Sequence, residues 1–316
     1  MRAKLFIAAV ALGAMVWAVP ISGAAHFSAA AAATEDARRN APLPLPARFR
    51  LNKDHGLLLT AWINGKGPYV FVIDTGAGMN VVTQRVVSDA GLQVRSTNTT
   101  IVGGLGSART TSNREAVIKQ LALGYPGNIL PTNKSALVVS LLASGVDGIL
   151  DPTDVYAPYG FSIDMPNQRI EVLDKSIAGV QRRQTNVEGA IVSWVHVGDN
   201  VRPFVRLGDG RLALVDTGSG YGLAVNERDA VVVGNRRRGE AREAAWDIAG
   251  GAINSRRVSP TTISIGELVL RRVPTDILFG IEDDVPVILG RAALFPFKIT
   301  FDPDKQLIEF LTSAKS

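Results

Sequence analysis

Apolar residues fall mostly in short runs separated by turns rich in glycine, proline and asparagine, the pattern of β structure rather than of amphipathic helices. LLLTAWI (57–63), a turn at Gly65–Pro68 and YVFVI (69–73) predict a hairpin whose second strand runs into Asp74. FVRL (204–207), a turn at Gly208–Gly210 and RLALV (211–215) predict another, running into Asp216. Both second strands are continuously apolar, so each aspartate is expected at the end of a buried strand. The correspondence continues downstream, which marks an internal repeat. IVGGLGSAR (101–109) is echoed by IAGGAINSRR (248–257), a strand ending at Leu123-Gly124 by one ending at Ile265-Gly266, and SIDMPNQRIEVL (162–173) lies ungapped over TFDPDKQLIEFL (300–311). Each half should therefore close with the same hairpin. Helical signals are few, the best being Thr83–Ala90 and Asn226–Val233, each after an aspartate turn; the polar stretch 174–189 suits a connector. The fold class expected is all-β with few short helices, in an N-terminal lobe (47–180) and a C-terminal lobe (181–316).

The first residues follow another pattern. Arg2 and Lys4 precede an apolar run, Leu5–Val19, which Pro20 breaks before small residues begin. That is the layout of a secretory signal over residues 1–24, cleaved after Ala24 or Ala30, or kept as a membrane anchor. Residues 25–46, Ala-rich and then APLPLP, read as a linker. The chain has no cysteine, so disulfides, thiolate metal sites and a cysteine nucleophile are excluded. Net charge is +5, but the basic pairs are scattered, and the cluster Arg236–Arg238 has no interleaved aromatics. Solvated faces are the expectation, with no nucleic-acid partner.

FVIDTGAGMN (71–80) recurs, altered, as LVDTGSGYGL (214–223). The bland reading of Asp-Thr-Gly is a turn in which Asp bonds the backbone and Gly takes positive φ. That leaves unexplained why a carboxylate follows buried apolar residues in both halves, since burying an unpartnered carboxylate is costly. If the lobes pack about a pseudo-two-fold axis, Asp74 and Asp216 meet. Two adjacent carboxylates share a proton and titrate as a pair. The charged member can then take a proton from water while the protonated one polarises a carbonyl.

From Leu51 to Leu311 these residues resemble the retropepsin-like aspartic proteases, in a bacterial exported form carrying both motifs on one chain. The resemblance implies a bilobal acid-protease-like fold of two retropepsin-like β-barrel lobes related by a pseudo-two-fold axis, with aspartic endopeptidase activity. It implies Asp74 and Asp216 as catalytic acids, with Thr75 and Thr217 cross-linking the two loops and Gly76, Gly218 and Ser219 supporting the pair. Gly103, Gly104, Leu105 and Gly106, and less closely Gly250 and Gly251, are similar to the family's substrate-covering flap. Ile288-Leu289-Gly290 is similar to the segment packing behind each aspartate loop, followed by Arg291 as in retroviral members; its first-lobe counterpart is Ile149-Leu150-Asp151.

Two departures stand out. Asp151 occupies a position where the family has glycine, so it must push the loop out or place a third carboxylate near the pair. Ser219 is expected to donate a hydrogen bond to the outer oxygen of its aspartate, whereas Ala77 cannot, so the two aspartates should differ. His55 and His196 lack metal-ligand spacing, and neither metal nor cofactor is expected. The partner expected is a polypeptide substrate, the working form a monomer, and the location the periplasm or the periplasmic face of the inner membrane. The rival is an inactive peptide-binding or scaffolding module of the same fold, told apart by whether the two carboxylates come within hydrogen-bonding reach or stand more than about 7 Å apart.

Overall fold

The computed structural model describes residues 43–103, 110–130, 133–173, 189–197, 200–231, 240–241, 245–246, 252–281 and 285–312. The signal or anchor at 1–24 and most of the linker lie outside these residues, as do the 180/181 lobe boundary and the connector up to residue 188; Gly189 already begins a strand. No helix among the described residues is long and apolar enough to cross a membrane.

The first aspartate hairpin forms as the sequence predicts, from Gly56–Ile63 and Lys66–Ile73. Its turn is tighter than expected. Ile63 pairs with Lys66, which leaves Asn64 and Gly65 at φ 50° and 75°, the positive values that two-residue hairpins demand. Lys66-Gly67-Pro68 thus lies within the strand. In the second half, Asn200–Arg206 and Leu212–Asp216 form the matching hairpin.

Of the two helical signals, Gln84–Asp89 is an α-helix that Thr83 precedes from the end of the strand Asn80–Thr83. The second is corrected. Asn226 ends the strand Leu223–Asn226, its side-chain oxygen accepts the Asp229 amide at 2.8 Å, and within the described part of this stretch, residues 226–231, the helical residues are Asp229–Val231, a 3₁₀ turn.

The duplicated closing hairpins form as Gly160–Asp164 with Arg169–Leu173 and Phe297–Asp302 with Leu307–Thr312. In their turns the shared glutamines Gln168 and Gln306 adopt φ 52° and 53°, and the shared aspartates Asp164 and Asp302 accept the amides of Asn167 and Lys305 at 3.2 and 3.0 Å. The hairpins also pair with each other antiparallel, with Ser162 opposite Thr300. Those two residues are equivalent in the repeat, so the register is the one a pseudo-two-fold axis through this sheet requires. Strand Ala47–Asn52 joins on one side and Gly189–Ser193 on the other. Behind it Phe161 stacks on Phe301 and on Tyr156, with ring centroids 4.6 and 5.7 Å apart, and Trp194 meets Phe301 edge-on. One continuous apolar core runs through both lobes and this shared sheet.

Candidate active site

In each lobe a short parallel strand is laid beside the aspartate strand. Gly148–Leu150 runs along Lys66–Ile73, with Ile73 opposite Leu150; Val287–Gly290 runs along Leu212–Asp216, with Asp216 opposite Gly290. Ile149, Leu150, Ile288, Leu289 and Gly290 are all buried there. Gly148 must be glycine, since a Cβ would lie 2.1 Å from the Phe71 ring. These crossings fix the strand ends from which Asp74 and Asp216 project.

The two loops then interlock. The Thr75 amide donates to the Thr217 hydroxyl and the Thr217 amide to the Thr75 hydroxyl, both at 3.1 Å. The Thr75 hydroxyl donates onward to the Val215 carbonyl at 2.6 Å, and that of Thr217 to the Ile73 carbonyl at 3.2 Å. All four groups are buried, so each amide depends on the opposite threonine. Thr217→Ala is expected to cost about 3 kcal/mol in urea unfolding, because it strands a buried N–H and a buried carbonyl, while Thr217→Ser keeps the hydroxyl and most of the stability.

Above this link the carboxyls meet. A Cβ on Gly218 would lie 2.3 Å from the Asp74 carboxyl carbon, and one on Gly76 would lie 2.6 Å from that of Asp216. Each carboxyl therefore rests against the bare glycine of the opposite loop. The two carboxyls are hydrogen-bonded to each other. The Gly76 amide donates to Asp74 Oδ1 at 2.8 Å and the Ser219 amide to Asp216 Oδ1 at 2.9 Å. The sequence-based expectation for Ser219 is corrected here: its backbone N–H makes this bond, while its hydroxyl accepts the Tyr221 amide at 3.4 Å.

Burial and the neighbouring charge of Asp216 push the Asp74 carboxyl well above the usual range, with Asp151 adding to the effect and the Gly76 N–H opposing it. Burial raises Asp216 too, opposed by the Ser219 amide, the bond from Asp74 and the Arg291 guanidinium. The pair is thus arranged to hold a proton between two inequivalent members.

Arg291 stands behind the second aspartate loop, where the sequence assigned it no contact. Buried, it donates to the carbonyls of Thr217, at 3.1 Å, and Gly218, and reaches the Lys53 carbonyl of the first lobe at 3.4 Å. Its place directly after Gly290 was legible in the sequence; these bonds, which join the second aspartate loop to the first lobe, were not.

Asp151 lies inside the protein rather than displacing the loop outward. It is fully buried, caps the short helix Pro152–Val155 by accepting the Thr153 amide at 2.9 Å, and donates its own amide to Asn80 Oδ1 at 3.0 Å. Gly103 ends the strand Gln93–Gly103, which pairs with Thr110–Ile118 as a hairpin; Gly104, Leu105, Gly106, Gly250 and Gly251 lie outside the described residues. No cluster among the described residues could hold a metal ion.

A bilobal sheet fold with two carboxyls in contact at its centre defines an aspartic-type peptidase. Residues 59–150, which include the first Asp-Thr-Gly turn and the parallel crossing behind it, match the aspartyl protease family. The fold is similar to that of the aspartic proteinase from Irpex lacteus, with a TM-score of 0.56 and 12% identity over 85% of this chain and 97% of that one. No curated protein matches the sequence. The family match thus lies in the first lobe, and the second lobe carries a second copy of the Asp-Thr-Gly turn.

Proposed function

We propose that the protein is an aspartic endopeptidase that hydrolyses peptide bonds of extracytoplasmic polypeptides, using a water activated between Asp74 and Asp216. The observation that carries this reading is the reciprocal packing of each carboxyl on the other loop's glycine, with a hydrogen bond between the two. A water held by both would lose a proton to the ionised carboxylate as it attacks the scissile carbonyl, which the protonated carboxyl polarises. The proton then passes to the departing amine, so no covalent intermediate is needed. Thr75, Gly76, Thr217, Gly218 and Ser219 hold the pair in place; Gly103–Gly106 and Gly250-Gly251 would cover the bound chain.

An extended peptide suits a cleft between two strand systems, with its backbone bonded as an added strand. Half-buried Ala77, Met79 and Val81 beside the first loop and Ile281 in the second lobe support a preference for apolar side chains around the cut. Both aspartates stand on one polypeptide, so the working form is a monomer. The leader pattern of residues 1–24 supports export to the periplasm, free or held at the inner membrane. Mass-spectrometric mapping of cuts in a denatured polypeptide tests the substrate class. Internal cuts flanked by apolar residues, at a rate per mole that dilution leaves unchanged, are expected; trimming from chain ends, or a rate that falls on dilution, would contradict it.

A further inference from the structure

Resting on the reading of Asp74 and Asp216 as one catalytic pair, we propose that Asp151 is a positioning residue acting through Asp74: its carboxylate directs the shared proton onto Asp74 and leaves Asp216 as the base.

The two lobes place opposite charges behind their aspartates. Asp216 pairs with Gly290, and the next residue, Arg291, spreads its guanidinium over the carbonyls of Thr217 and Gly218. In the first lobe the strand pairing ends at Ile73 and Leu150, so the next residues, Asp74 and Asp151, stand at the matching place, and Pro152 replaces the cation. The Asp74 amide still donates to the Leu150 carbonyl at 3.0 Å, which keeps the two strands in contact there.

The first lobe is rebuilt around this side chain. A Cβ on Gly290 would lie 2.5 Å from the Tyr221 carbonyl oxygen and 2.9 Å from both the carbonyl oxygen and the hydroxyl of Ser219. The residue matching Ser219 is Ala77, which has no hydroxyl to collide. The Gly290 amide donates to the Gly222 carbonyl at 2.9 Å, whereas the Asp151 amide donates to the side chain of Asn80, which by strand register stands where the second lobe has Leu223. Glycine, serine and leucine in one lobe have thus become aspartate, alanine and asparagine in the other, and the three changes fit together.

The carboxyl itself is half satisfied. Oδ1 accepts the Thr153 amide at 2.9 Å and the Thr153 hydroxyl at 2.7 Å, while buried Oδ2 has no hydrogen-bond partner. Asp154 on the same short helix and Arg202 from the second lobe face Asp151 with opposite effects, and Lys134 lies beyond Asp154, 3.6 Å from its Oδ1. Asp216 and Arg291 belong to the opposite loop. Burial pushes Asp151 up to about 6. Above that pH its charge tightens the hold of Asp74 on the proton; below it the carboxyl is neutral and the effect disappears.

The test compares kcat/KM across pH for the wild type, Asp151→Asn and Asp151→Ser, alongside a carboxyl-carbon NMR titration of Asp74. Both variants remove the charge and keep an oxygen to cap the helix. They should lose roughly threefold or more in kcat/KM at about pH 7.5 and match the wild type at about pH 4.5, with Asp74 titrating at lower pH. An unmoved Asp74 titration overturns the proposal. A titration that moves in a protein without peptidase turnover supports the electrostatic assignment and overturns the peptidase reading instead.

Discussion

Asp216→Asn is expected to lower kcat/KM by about four orders of magnitude or more, and Asp74→Asn by a similar factor. An amide can neither take a proton from water nor pass one to a leaving amine. The loops should survive the change, because the Gly76 and Ser219 amides donate to Oδ1 of each aspartate, an oxygen that asparagine retains. The Thr75–Thr217 link beneath involves neither carboxyl. The loss is therefore chemical rather than structural, and the double variant should be little worse than either single one, as for residues acting as a unit. Steady-state cleavage of a denatured polypeptide, with unfolding curves as the control, checks both points. Full activity in either single variant would rule out the pair.

The second large effect concerns stability. Asp151 has an ordinary value of 3.8 and is held at about 6 in the folded protein by burial. The folded state therefore binds this proton more tightly than the unfolded one. The resulting stabilisation is fully present below pH 4 and is lost as pH rises through 6. A rise of that size corresponds to about 3 kcal/mol. In Asp151→Asn this contribution is absent at every pH, so the difference in unfolding free energy between pH 4 and pH 7 should shrink by about that amount, whatever the constant cost of a buried amide. Urea unfolding at the two pH values measures it, and an unchanged difference would show that Asp151 is not a buried acid.

What could be read from the sequence was whatever the repeat displays twice. The strands entering Asp74 and Asp216, the helix after the first turn and the closing hairpins all depend on local apolar runs and turn residues, and these are legible in one dimension. The pairing of the two closing hairpins is not, because nothing in either segment states that Ser162 will face Thr300. The second helical signal failed because Asn226 is used by a strand end and a side-chain cap, which outweigh propensity over so short a stretch.

At the site, residue types were legible and bond assignments were not. Ser219 serves Asp216 through its amide because the loop turns its N–H toward the carboxyl. Asp151 read as a disturbance of the first lobe because the accommodating changes, Ala77 and Asn80, lie about 70 residues away and have no meaning until the strands are paired.

The proposed function requires Asp74 and Asp216 to be one acid-base unit and not two separate carboxylates. Carboxyl-carbon NMR titration of the intact protein tests it most directly. Both residues should report the same two widely separated steps, and Asp216→Asn should leave Asp74 titrating in a single one. Two independent curves in the ordinary aspartate range, unaffected by removal of the partner, would contradict it.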